Sequence, residues 1–265
     1  MEFLEINYYS ETLHMEQSMN IILPEKSDRN PDWTVESLQD LPALYLLHGM
    51  SGNHSMWARR TNIERIIRMT KIAVIMPSTD LAWYTNTTYD LHYFDALAKE
   101  LPNKIQQLFP QISTKPEKNF VCGMSMGGYG AWKLALGTTQ FSYAASLSGA
   151  LVFGNDEPFP FGPKEYWQGI FGDLKQIHGS ENDLFTLAEK RKQSSTPIPK
   201  LFSWCGRQDF LFDNNNQAVE KMQALNYDVE YQINDGTHEW YYWEKYLENV
   251  LEWLPIDFVR EERLS

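Results

Sequence analysis

Short apolar runs recur along the chain, and they are of two kinds. Phe3-Leu4-Glu5-Ile6 and Met19 to Leu23 mix apolar with polar positions and flank a polar turn around Ser10 to His14. That is the pattern of an antiparallel hairpin. From residue 43 onward the runs are almost continuously apolar: Ala43 to Leu47, Ile72 to Met76, Phe120 to Cys122, Ala144 to Leu147 and Leu201 to Trp204. Such runs suit strands covered on both faces, as in a mostly parallel sheet. Between several of them lie segments that read as helices, 92–109 (interrupted by Pro102), 127–136, 213–225 and 238–253.

Strand alternating with helix implies right-handed βαβ units and therefore a three-layer α/β domain with helices on both faces of the sheet. Residues 25–40 are polar, contain Pro31 and read as a surface loop. The stretch 151–200 breaks the alternation and is expected to form an irregular, cap-like insertion over one edge of the sheet, within one domain spanning 1–265. The mixed-charge segment from Arg260 to Arg263 reads as a frayed end.

Composition narrows the partners. With 43% hydrophobic and 22% charged residues the chain can build a sizeable core. Its net charge of −12 opposes phosphate backbones and anionic lipid heads, so neither nucleic acid nor a membrane surface is expected. No apolar run is long enough to span a bilayer, and Met1 to Tyr8 has neither the basic nor the apolar region of a secretory signal. A cytoplasmic location is the expectation. The two cysteines, Cys122 and Cys205, follow apolar, strand-like runs and read as small buried thiols.

The chemistry starts at Gly123-Met124-Ser125-Met126-Gly127, which follows one apolar run and precedes a helical segment ending at Gly137. A sharp strand-to-helix turn strains the backbone of its central residue and leaves no room for flanking side chains, which explains the glycines. Gly128, Gly130 and Ala131 let the new helix approach the sheet closely. Ser125 is thereby lifted above a helix N-terminus that favours negative charge. A serine needs a base, and the base needs an acid to orient it. Where a Gly-x-Ser-x-Gly turn carries the nucleophile, the chain order is Ser, then Asp or Glu, then His.

Only His178 and His238 follow Ser125. His178 lies in the insertion with no strand end to hold it, whereas His238 lies in a turn between Val229 to Ile233 and the last helix. His238 is therefore the base. Asp209 follows the strand ending at Cys205 and is the preferred acid. Asp213 competes but reads as the cap of the helix that begins at Asn214. Two amides must also meet the oxyanion of acyl transfer. One is the N–H of Met126, and the other comes from the loop His48-Gly49-Met50-Ser51-Gly52, from Met50 or alternatively Gly49. His48 itself reads as a brace for this loop.

Taken together, His48 to Gly52, Trp57, Gly123 to Gly128, Cys205-Gly206-Arg207-Gln208-Asp209 and Gly236-Thr237-His238 resemble the esterase D family of α/β-hydrolases. That family includes S-formylglutathione hydrolases, and the sequence is most similar to its bacterial tributyrin-type carboxylesterases. The resemblance runs from about residue 3 to residue 255. It implies the α/β-hydrolase fold, Ser125, Asp209 and His238 as catalytic residues, and Met50 and Met126 as oxyanion donors. The loop from His48 to Gly52 lacks the cysteine of glutathione-specific members, which argues against formylglutathione as substrate.

The activity so implied is a carboxylesterase acting on small-molecule, short-chain acyl esters through an acyl-serine intermediate. An acyltransferase using the same acyl-enzyme, or an S-formylglutathione-type thioesterase, is the alternative. Trp57, Trp83 and Tyr84 are the expected substrate contacts. No cofactor is expected, and the spacing of His48, His54 and His92 matches no recognised metal-ligand pattern. Family members often associate, so a homo-oligomer is anticipated.

Overall fold

A computed structural model describes residues 1–154, 159 and 162–260 of the chain. Residues 261–263 of the expected frayed end lie outside these, as does part of the insertion. Among the described residues one eight-stranded sheet organises the molecule, in the order β1-β2-β4-β3-β5-β6-β7-β8. β1 (Glu2–Ser10) and β2 (Met15–Leu23) form the expected antiparallel hairpin, and β2 pairs antiparallel with β4 (Ala73–Pro77). Every other pairing is parallel, through β3 (Ala43–Leu47), β5 (Asn119–Met124), β6 (Tyr143–Leu147), β7 (Lys200–Gly206) and β8 (Val229–Asn234).

The apolar runs are explained by two cores, one on each side of the sheet. Along β3, Ala43, Tyr45 and Leu47 point to one core while Leu44 and Leu46 point to the other. Successive strand residues alternate faces, so a strand covered on both sides must be apolar throughout. One core holds α5 (Met126–Gly137), which is buried around its whole circumference down to Leu136. The other is closed by α1 (Met56–Arg60), α2 (Ile63–Ile67) and α9 (Trp240–Trp253), through Trp57, Ile63, Trp243 and Leu247.

Two segments differ from their sequence reading. Pro102 does not interrupt the helix over 92–109. α3 (Tyr93–Asp95) runs into a π-helical stretch (Ala96–Glu100) and on into α4 (Leu101–Leu108). The wider π turn accommodates the proline ring, which in a regular helix would clash with the carbonyl four residues back. That carbonyl, of Ala98, accepts instead from the side-chain amide of Gln140.

The insertion is also not irregular throughout. It contains α6 (Lys164–Phe171) and α7 (Leu184–Gln193), the latter capped by Asp183, whose carboxylate accepts from the Phe185 N–H at 3.0 Å. α7 is mostly polar and packs on α5 and α8 (Phe212–Ala224) through a short apolar group at its N-terminal end, with Leu184 and Ala188 buried and Phe185 and Leu187 half-buried against the core. A group that short is weak as a periodic signal.

Candidate active site

The parallel strands bring their carboxyl ends to one edge of the sheet, where α/β folds hold their ligands. There β3 leads to His48, β5 to Ser125, β7 to Asp209 and β8 to His238.

Ser125 is the single residue between β5 and α5, with φ 56° and ψ −121°. The turn is very tight. A Cβ on Gly123 would lie 2.2 Å from the Gly127 carbonyl oxygen, and one on Gly127 would lie 2.4 Å from that of Leu47. The strained residue is held on both sides. Its N–H donates to the Leu147 carbonyl at 3.0 Å, and its carbonyl accepts from the N–H groups of Gly128 at 2.9 Å and Ala150 at 3.2 Å.

The three side chains singled out in the sequence converge here. His238 Nε2 lies 3.0 Å from Ser125 Oγ, and its Nδ1 lies 2.9 Å from Asp209 Oδ2 and 3.1 Å from Oδ1. The Asp209 side chain has no exposure. A carboxylate only accepts, so Nδ1 carries the proton and Nε2 is left as a base facing the serine hydroxyl.

Asp209 also organises the turn after β7. Its Oδ1 accepts from the Leu211 N–H at 2.9 Å and its carbonyl from the Phe212 N–H at 3.0 Å. It therefore starts α8 early, at Phe212, with Leu211 at the N-cap. This corrects the reading of Asp213 as the cap, since that residue lies inside the first turn.

The loops carrying Asp209 and His238 are joined through Gln208. Its side-chain oxygen accepts from the Gly236 N–H at 2.8 Å, and its own N–H donates to the Gly236 carbonyl at 3.1 Å. Two rings flank the imidazole. Trp243 stands edge-on at 4.9 Å and 87°, held by its Nε1–H donating to Ser148 Oγ at 3.2 Å, and Phe210 lies at 4.5 Å and 47°. Sequence reasoning missed these partners. Trp243 lies in the segment 238–253 with no local signal to set it apart, and Ser148, at φ 50°, has none either.

Met126 is the first residue of α5, so its N–H is one of the amides that no helical carbonyl can reach. The loop after β3 is organised by His48, which is 1% exposed. Its Nε2 accepts from the Thr79 N–H at 3.0 Å, so Nδ1 bears the proton and donates to the Gly49 carbonyl at 2.8 Å. The Gly52 N–H donates to the same oxygen at 3.2 Å. In a trans peptide the N–H points opposite to the carbonyl, so holding the Gly49 oxygen sets the direction of the Met50 N–H. This backbone lies against the serine, since a Cβ on Gly49 would be 3.2 Å from Ser125 Cβ. Burial pushes His48 down to about 4, which keeps it neutral in this bracing position.

Trp57, Trp83 and Tyr84, expected to touch substrate, are placed otherwise. They are 1%, 1% and 0% exposed. Trp57 Nε1–H donates to the Leu47 carbonyl at 3.0 Å and Tyr84 O–H to the His48 carbonyl at 2.7 Å. Both donate to backbone carbonyls where β3 passes into the loop that follows it. Trp83 sits inside a cluster of Tyr129, Phe153, Phe159, Trp167 and Phe171, with its Nε1–H donating to Tyr166 Oη at 3.0 Å. Protein contacts already cover all three rings, so the substrate role is replaced by a structural one.

Comparison with known proteins gives a consistent picture. A family model described as "Putative esterase" matches residues 10–254. The acetyl esterase of Caldicellulosiruptor saccharolyticus is 34% identical over 263 residues, covering 96% of this chain and 98% of that protein. The structure of FphF, a fluorophosphonate-binding serine hydrolase of Staphylococcus aureus, aligns with TM-score 0.85 at 33% identity over 96% of this chain and 98% of that one. FrmB, an S-formylglutathione hydrolase of the same organism, aligns with TM-score 0.83 at 33% identity and the same coverage. A ferulic acid esterase at 20% identity and TM-score 0.76 shares the fold.

Proposed function

The chain belongs to the esterase family, and we propose that Ser125, His238 and Asp209 are the triad with which it works as a serine carboxylesterase of the α/β-hydrolase fold. The observation that carries this assignment is the unbroken line from Asp209 Oδ2 through the imidazole to Ser125 Oγ, with steps of 2.9 and 3.0 Å.

In the reaction so assigned, His238 Nε2 takes the Ser125 proton as Oγ adds to the ester carbonyl. The N–H groups of Met126 and Met50 receive the resulting oxyanion, each such donor contributing about 10²–10³-fold in turnover. Collapse expels the alcohol, which takes the proton from Nε2, and leaves an acyl-Ser125. A water deprotonated by the same nitrogen then releases the acid. Stoichiometric labelling of Ser125 by a fluorophosphonate, absent in Ser125→Ala, tests the nucleophile.

Small acyl groups are the proposed substrates, acetyl foremost. The acetyl esterase relative supports this, and tributyrin lies within the same range. p-Nitrophenyl acetate and butyrate should be hydrolysed far faster than the palmitate, and equal rates would remove the short-chain assignment. The similarity to FrmB favours a second reading, thioester hydrolysis. Turnover of S-formylglutathione faster than of p-nitrophenyl acetate would promote it. Two free, buried cysteines fit a reducing cytoplasm, and no helix of the described residues is long and apolar enough to cross a membrane. A homo-oligomer, expected from the family, can be tested by light scattering.

A further inference from the structure

Phe210 is 67% exposed, yet its ring packs 4.5 Å from the His238 imidazole. Its Cα is held in place. The backbone on both sides is pinned, by the Asp209 N–H to the Gly206 carbonyl at 3.0 Å and by the Leu211 and Phe212 N–H groups to Asp209. A large apolar ring so exposed gains little from the hydrophobic effect in the free protein. Its position becomes meaningful when the path of the leaving group is followed.

As the tetrahedral intermediate collapses, the bond from carbon to the alcohol oxygen breaks and its electron pair goes to that oxygen. The same oxygen takes the proton held on His238 Nε2 and must come within about 3 Å of it. The acyl carbonyl is meanwhile held at the Met126 and Met50 amides. The rest of the alcohol has to extend from Nε2 toward the rim, and the exposed ring on the imidazole side is Phe210.

We propose that Phe210 is a specificity-determining residue, a flat apolar platform on which the alcohol part of the ester rests, and that it favours arylmethyl alcohols over short alkyl ones. The proposal rests on the reading of His238 as the general base and acid. It extends that reading to a class of leaving group.

Benzyl acetate and propyl acetate carry the same acyl group on primary alcohols, so the ratio of their kcat/KM values isolates recognition of the alcohol. Phe210→Ala should lower the benzyl-to-propyl ratio about tenfold, in line with the worth of a ring-on-ring contact. Phe210→Tyr should keep the ratio. Phe210→Leu, which remains apolar but is not flat, should lose most of it. An equal fall for both esters would mean that the ring merely shields the imidazole, and it would overturn the proposal, as would an unchanged ratio in Phe210→Ala. If the ratio fails while fluorophosphonate still labels Ser125 and both esters are hydrolysed, the platform alone is refuted. If wild-type protein is neither labelled nor active on either ester, the triad assignment fails and the platform with it.

Discussion

Ser125 occupies a backbone conformation that costs a non-glycine residue about 1–3 kcal/mol, and four backbone hydrogen bonds hold it there. The return on that strain is a hydroxyl aimed at His238. Ser125→Ala should reduce kcat on p-nitrophenyl acetate by at least about 10⁴-fold while leaving the circular dichroism spectrum intact. The two aspartates are separated by a similar experiment. Asp209→Asn should cost about 10⁴-fold, because the imidazole loses the partner that sets its tautomer. Asp213→Asn should stay within a few-fold of wild type, since that residue lies in the first turn of α8. Comparable losses in both would reassign the acid. His48 acts one step further out, through the Gly49–Met50 peptide. His48→Ala should lower kcat about 10²-fold with a smaller change in KM, the signature of a donor that engages only in the transition state. A change confined to KM would deny it that role.

The strand–turn–helix unit from β5 to α5 is readable because its constraints lie between neighbours. Gly123 and Gly127 face each other across the turn, and Gly127 also meets the end of β3. Gly127→Ala should destabilise the fold by at least about 2 kcal/mol, measured as a lower urea midpoint, because the atom it meets is backbone and cannot yield like a flexible side chain. A midpoint equal to wild type would show that α5 can withdraw from the sheet. The helix containing Pro102 illustrates the opposite case. Nothing next to the proline in sequence announces that a π turn will widen ahead of it, or that Gln140 will satisfy the carbonyl of Ala98.

Across the whole molecule, Lys133 and Arg191 are cationic side chains buried among the described residues. Lys133 on α5 is 3% exposed, and its Nζ donates to Thr85 Oγ1 and Asn182 Oδ1, each at 2.6 Å. It thereby joins α5 to the loop carrying Trp83 and Tyr84 and to the insertion. Burial lowers its pKa to about 7, and the charge of Glu181 opposes this only in part. An unfolded chain therefore binds more protons at this site than the folded one between pH 7 and 10, so the site's contribution to stability grows as pH rises through that window. Buried Cys122 and Cys205 act in the opposite sense at its upper end, so the comparison with Lys133→Met is needed to isolate the effect. The stability of wild type relative to that variant should increase by roughly 3 kcal/mol from pH 7 to pH 10 in urea titrations. A pH-independent difference would mean that the amine stays charged in the fold.

What could be read along the chain was whatever neighbouring residues decide together. The apolar runs give the strands, because a strand buried on both faces admits no polar alternation. The glycines around Ser125 give the turn, because sterics act between adjacent residues. The order Ser125, Asp209, His238 follows from their places after the apolar runs of β5, β7 and β8. Only the tertiary structure could show that Asp209 itself starts α8, that Trp57 and Tyr84 are enclosed around the loop after β3, that His48 reaches Thr79, and that Phe210 lies on the imidazole. The first is local but competes in the sequence with a cap at Asp213. The others depend on burial or on contacts between distant residues, and a short window of sequence carries no record of which distant group will close such a contact.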